Sequence, residues 1–164
     1  MHKGASTVQD VQTIDDLDRR LILELVDDPR IGVMELARRL GVARGTAQAR
    51  LSRLLDSGAV KLSVDLDFPA LGYPVAGFTT LEISQGRIEE VAGPLRDIPE
   101  VLEVHSVAGT GDVLVHLVAT SNPDLFRIIE QALQSPAVQR TSTAISLVEH
   151  VPRRVRPFVE ALGS

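Results

Sequence analysis

The 164-residue sequence contains no cysteine. Disulfides, thiolate metal sites and cysteine nucleophiles are excluded together, and the absence fits a reducing compartment. Histidine is scarce, with four residues at positions 2, 105, 116 and 150, which leaves little for a metal centre. No apolar run approaches the roughly 18 residues of a membrane span. Residues Met1–Asp10 lack the apolar centre of a secretory signal peptide. A cytoplasmic protein is expected, with no membrane partner, metal, cofactor or catalytic group. Internal repeats and low-complexity tracts are also missing. Hydrophobic residues make up 44% of the chain, enough for a core in one ordinary domain or in two small ones.

What is present is concentrated between Val33 and Ala59. Leu36, Ala37 and Leu40 form one apolar stripe at helical spacing, and Gly41 follows with the backbone freedom for a sharp turn. A second stripe comes at Ala47, Leu51, Leu54 and Leu55. At 100° per residue, Thr46, Ala49 and Arg53 then point outward, with Gln48, Arg50 and Ser52 on the flanks. This is the outline of a DNA-reading helix-turn-helix. Between Pro29 and Ser57 lie Arg30, Arg38, Arg39, Arg44, Arg50 and Arg53 against Glu35 and Asp56, a local charge of +4 in a chain of net charge -5. An acidic protein needs such a local basic surface to approach a polyanion. Arg38, Arg44, Thr46, Gln48, Arg50 and Arg53 are the candidate contacts to double-stranded DNA.

Upstream, Thr13 is placed to cap a first helix, with Asp16 three residues on as an acidic capping-box partner. Ile14, Leu17, Leu21 and Leu25 form its inward stripe, and Asp27-Asp28-Pro29 ends it. Gly58 stops the third helix. Val60–Leu66 alternates apolar and polar residues, the spacing of a strand, and predicts the wing of a winged helix. Phe68-Pro-Ala-Leu-Gly-Tyr-Pro74 breaks both periodicities and marks a hinge. Beyond it come strand 75–83, helix 87–96, strands 101–108 and 113–120, helix 123–134 and strand 138–149. That order is βαββαβ, a ferredoxin-like sandwich. Ser121-Asn-Pro-Asp124 combines a cap with a proline near the first helical position. The fold class is thus α+β. A winged helix-turn-helix spans 11–67 after a loose tail, a hinge 68–74, a ferredoxin-like domain 75–152 and a C-terminal tail 153–164.

The order and spacing of several short motifs resemble the Lrp/AsnC family of bacterial and archaeal transcription regulators. They are Ile14-Asp-Asp-Leu-Asp18 with Ile22-Leu23, Glu35-Leu-Ala-Arg-Arg-Leu-Gly41, Arg50-Leu51 with Leu54 and Gly58, Leu71-Gly72-Tyr73, and Val107-Ala-Gly-Thr-Gly-Asp-Val113. The resemblance runs over roughly Ile14 to Arg153. It implies that the C-terminal domain senses a small-molecule effector, commonly an amino acid, between dimers. It also implies sheets paired face to face in a homodimer that assembles into tetramers or octamers. From the residues alone, Gly109-Thr-Gly-Asp112 reads as an ordinary tight hairpin. The resemblance makes Gly109, Thr110, Gly111 and Asp112 the effector loop, where glycine N–H groups meet a carboxylate and Asp112 an ammonium. Thr141 and Thr143, with Ser142 between them, are implied to add polar contacts. The chain departs from the family pattern at Ala43, a cap position usually held by serine, at Gly45 in the first turn of the recognition helix, and at Gly111, where an aromatic is common.

The expected function is therefore a sequence-specific transcription regulator responsive to a small molecule. One alternative is a nucleoid-organising protein that binds DNA broadly without an effector. Another is an enzyme, since siroheme decarboxylases resemble this architecture and work with histidine, tyrosine and arginine. Here the single tyrosine is Tyr73 at the hinge, and His105-Ser-Val-Ala stands where a His-x-Tyr-x-Arg cluster would be needed.

Overall fold

The computed structural model describes residues 13–162; the expected tail before Val11 and the expected domain start at Val11 lie outside them. The chain forms two compact units, one from residues 13–64 together with 151–162 and the other from residues 65–150.

The first unit is built on three helices, α1 (Asp16–Asp27), α2 (Val33–Leu40) and α3 (Arg44–Asp56). The cap of α1 is Asp15, two residues later than Thr13. Its Oδ1 accepts from the Asp18 N–H at 2.8 Å, and Asp18 Oδ2 accepts from the Asp15 N–H at 3.2 Å. The short carboxylate at position 18 closes the box from the N3 position, so the acidic box expected around Thr13 and Asp16 forms two residues further on. Leu21 and Leu25 of α1 meet Ile31, Leu36, Leu40 and Leu54 in a buried cluster. Gly41 ends α2 in the left-handed conformation, φ 70°, which directs the chain into α3.

Two expectations for this unit are corrected. Residues 61–67 form no strand, so the wing is absent from the described chain. The alternation is real, but the one sheet contains only later strands, and a lone strand has no hydrogen-bonding partner. Leu62, Val64 and Leu66 are consequently exposed. The segment from 153 onward, expected as a tail, instead folds into a short helix, α6 (Arg156–Ala161), packed on α1. Val159 is buried there, and Arg156 pairs with Asp27 and Glu160.

The second unit contains β1 (Val75–Ile83), α4 (Ile88–Leu95), β2 (Val101–Ser106), β3 (Val113–Ala119), α5 (Asn122–Ala132) and β4 (Val138–Ser146), preceded by a 3-10 turn at Pro69–Leu71. The sheet is antiparallel with order β2-β3-β1-β4, the ferredoxin-like arrangement anticipated from the element order. Ser121 caps α5 by accepting from the Asp124 N–H at 3.3 Å. One sheet face is sealed by α4 and α5 over Leu81, Val91, Leu95, Val113, Val115, Leu117, Leu125 and Ile128. The other carries Phe78 stacked on His116, ring centroids 4.6 Å apart, with Phe78 exposed. Among the described residues, no helix is long and apolar enough to cross a membrane, and no cluster of three or more His, Asp or Glu could hold a metal ion.

Candidate nucleic-acid interface and effector cleft

Charge is segregated between the units. Residues 13–64 with 151–162 carry twelve basic and nine acidic side chains, a net +3, whereas residues 65–150 carry four and twelve, a net -8. Only the first unit has the sign to approach DNA phosphates.

Within it, the arginines divide into held and available ones. Arg50 donates to Asp15 at 2.5 Å and to Asp18 at 3.0 Å, and Arg53 donates to Asp18 at 2.5 Å. Asp18 has no exposed surface, so these contacts clamp α3 to α1. The Arg50 guanidinium, followed by the Asp18 N–H, holds the Asp15 carboxyl down at about 2. Arg38 and Arg39 bracket Glu35, with Arg39 also reaching Glu24 at 3.0 Å. Hydrogen bonding, first from Arg38 and then from Arg39, lowers Glu35 to about 2. Of the six arginines that make the segment basic, Arg30 and Arg44 alone have exposed side chains without a charged partner among the described residues.

The expected outward face changes accordingly. Thr46, Gln48, Ala49 and Arg53 are exposed, as is Arg44 at the start of α3, but Arg53 is also engaged by Asp18, and Arg50 is half-buried. Gln48 donates to Ser52 at 3.2 Å, one turn on. Ala43 provides no side-chain cap for α3, and Gly45 has open space around it. Asp15 and Asp18 were not anticipated as partners of the recognition helix. The available signal was spacing, because acids three apart on α1 face arginines three apart on α3.

In the second unit, the chain from β2 to β3 is tied down at Asp112. Its C=O accepts from the Val107 N–H at 2.9 Å, its N–H donates to the Leu81 C=O at 2.9 Å, and its Oδ2 accepts from the Ile83 N–H at 2.8 Å. Asp112 lines an open cleft of about 450 Å³ with Ile83, Gln85, Gly86, Ile88 and Ser106. Gly109 and Thr110 are exposed on the loop and do not line this cleft. Gly111 is buried, and a Cβ there would stand 2.2 Å from Thr80 Cγ2 and 3.3 Å from the Leu81 C=O. The side chain missing at this position therefore leaves no room for an effector, because β1 fills it.

Thr141 and Thr143 lie on β4, paired with Leu81 and Thr79. Thr143 and Thr79 share a hydroxyl hydrogen bond of 2.9 Å. The structure thus brings these threonines to the flank of β1 opposite β3, one strand away from Asp112, and not into the same cleft.

An AsnC-type helix-turn-helix profile matches residues 14–55, and a Lrp/AsnC ligand binding domain profile matches residues 76–156. A Pyrococcus furiosus HTH-type transcriptional regulator, FL11, is 30% identical over 138 residues, 84% of this chain and 91% of the relative. The chain belongs to the Lrp/AsnC family. Among solved structures, E. coli AsnC shares the fold with a TM-score of 0.80 at 24% identity, covering 89% of this chain and all of that one. A feast or famine regulatory protein from M. tuberculosis, complexed with L-methionine, gives a TM-score of 0.77 at 28% identity over 86% of this chain and 97% of its own. As a Lrp/AsnC protein, the chain is a transcriptional regulator with an N-terminal helix-turn-helix and a ligand-binding domain.

Proposed function

We propose that this Lrp/AsnC protein is a sequence-specific, effector-responsive regulator acting in the cytoplasm, and that Arg44, Thr46 and Gln48 carry its direct DNA contacts. The supporting observation is the outer face of α3, where these three side chains are exposed while Arg50 and Arg53 are engaged by α1. Arg44 supplies charge for phosphate or a guanine edge, and Gln48 and Thr46 supply donors and acceptors for base edges. Arg50 and Arg53 contribute mainly by holding α3 against α1, while Arg38, paired with Glu35 on its own helix, remains exposed as a further phosphate contact.

A homodimer follows if the open sheet faces pair around the Phe78–His116 stack, which a two-fold axis would bury in duplicate. Each dimer would then present two α3 helices to half-sites roughly 10 bp apart or a multiple of that. Further assembly to tetramers or octamers would place the 109–112 loops and the Thr141–Thr143 stretch of β4 from neighbouring dimers around an effector. An amino acid is the effector class, because a relative is complexed with L-methionine and Asp112 offers a carboxylate to an ammonium. The effector must bind free and DNA-bound states unequally to shift anything.

The test is titration of the full chain onto its own upstream DNA and onto random DNA of equal length, with and without an amino-acid pool. Preferential binding that the pool alters is expected. Equal binding to both DNAs would replace this reading with a nucleoid-organising one, and absence of binding would overturn it.

A further inference from the structure

We infer that the C-terminal arm returning to the helix-turn-helix unit, with Arg153 and Arg154 alongside Lys61, is a second DNA-backbone contact that takes the place of the missing wing. The inference rests on the DNA-binding reading above. Residues 13–64 alone hold nine basic and eight acidic side chains; adding residues 151–162 raises the net charge from +1 to +3. The arm and its helix therefore supply two of the three net positive charges of the helix-turn-helix unit.

Its placement is fixed by local interactions. The short α6 that follows the arm buries Val159 and is ion-paired through Arg156 to Asp27 of α1. Arg153 lines a cleft of about 740 Å³ together with Lys61 and the residues immediately after α3, from Ser57 to Ser63. Lys61, Arg153 and Arg154 are all exposed, and none has a charged partner among the described residues. The acids on surrounding elements do not neutralise them: Asp27 and Glu160 are held by Arg156, Asp28 faces Arg39, and Asp56 sits in the last turn of α3.

A recognition helix in the major groove brings the chain that follows it against the flanking phosphate backbone, which is where a wing would reach. The sequence after α3 makes no hairpin and offers one lysine there. The arm places Arg153 in the same cleft, with Arg154 exposed next to it in the chain. Contacts of this kind read no bases, so they add affinity equally on all sequences and are sensitive to salt.

The experiment compares the wild-type chain with Arg153→Ala/Arg154→Ala and with Arg153→Lys/Arg154→Lys. Each is titrated onto upstream and random DNA across a salt series, with oligomer size measured in parallel. The alanine variant is expected to bind roughly tenfold more weakly to both DNAs at moderate salt, with the log Kd against log salt slope flattened by roughly 0.9 for each phosphate that is no longer neutralised. The lysine variant should restore both, because pairing with a phosphate needs charge and not a fork. Unchanged affinity and slope in the alanine variant, while the wild-type chain binds, would overturn the inference and leave the recognition-helix reading intact. A change of oligomer size with an unchanged slope would also overturn it, assigning the arm to the acidic unit of another copy. If the wild-type chain bound neither DNA, the DNA-binding reading itself would fall.

Discussion

Asp18 of α1, with no exposed surface, holds Arg53 of the recognition helix at 2.5 Å through its Oδ2. A carboxylate removed from water is strongly penalised unless it is paired, so Arg53 is first a condition of the fold and only then a candidate for DNA. Arg50 shares the same carboxylate, and the pair fixes the tilt of α3 against α1.

This gives Arg44 and Arg53 different signatures. Both alanine variants should bind DNA more weakly. Arg53→Ala should also lose about 1–3 kcal/mol of stability, below the usual cost of breaking a buried pair because Arg50 remains and Arg53 is partly exposed. Arg44→Ala should leave the unfolding transition where it is. Parallel thermal unfolding and DNA titration separate them; an Arg53→Ala protein of wild-type stability that no longer binds DNA would make Arg53 a direct reader.

The carboxylates of this unit also set its acid limit. Asp15 lies at about 2 against an ordinary 3.8, and Glu35 at about 2 against 4.5, each lowered first by an arginine hydrogen bond. Depressed acids contribute stability that is complete above their ordinary values and lost as pH falls toward the depressed ones. Urea midpoints should therefore be flat in this respect above about pH 5 and decline between about 4.5 and 2. In Asp15→Asn the decline should be shallower, since one of the groups is gone. An equally steep decline would show that the Asp15–Arg50 pair carries no linkage in solution.

How much of this was legible in the sequence depends on whether the deciding interaction is local. The helix-turn-helix stripes, Gly41, the Ser121 cap and the βαββαβ order all follow from spacing within a few residues, and each formed. The wing failed because Val60–Leu66 has a strand's alternation but no partner strand, and partnership is not written in a local pattern. The C-terminal segment reads as a tail because its six-residue helix gains its burial from α1, more than a hundred residues earlier. The arginine face was legible as charge, but not as pairing. Arg50 and Asp15 lie 35 residues apart, so a count of local charge overstated what is free to meet phosphate.

Gly111 illustrates the same distinction at the second site. Its Cβ position is occupied by Thr80 Cγ2 at 2.2 Å, so Gly111→Ala should destabilise the ligand-binding domain by about 1–3 kcal/mol through overpacking. Thr80→Ala in the same chain should recover most of that stability by removing the methyl. A denaturation cycle over the four proteins measures the coupling. Additive losses would mean that the backbone near the Leu81 C=O, at 3.3 Å, is the true obstacle.

Asp112 performs two separable tasks, and two substitutions divide them. Its Oδ2 accepts from the Ile83 N–H and braces the loop against β1, while the carboxylate charge faces the cleft it lines. Asp112→Asn keeps an acceptor oxygen and removes the charge; Asp112→Ala removes both. The alanine protein should be less stable than the asparagine protein by on the order of 1 kcal/mol, the worth of one exposed hydrogen bond. Basal DNA affinity should persist in both, because Asp112 lies outside the helix-turn-helix. The response of that affinity to an amino-acid pool should disappear in both if the charge meets an ammonium. A full response in Asp112→Asn, with none in Asp112→Ala, would reduce Asp112 to a brace and place effector recognition elsewhere.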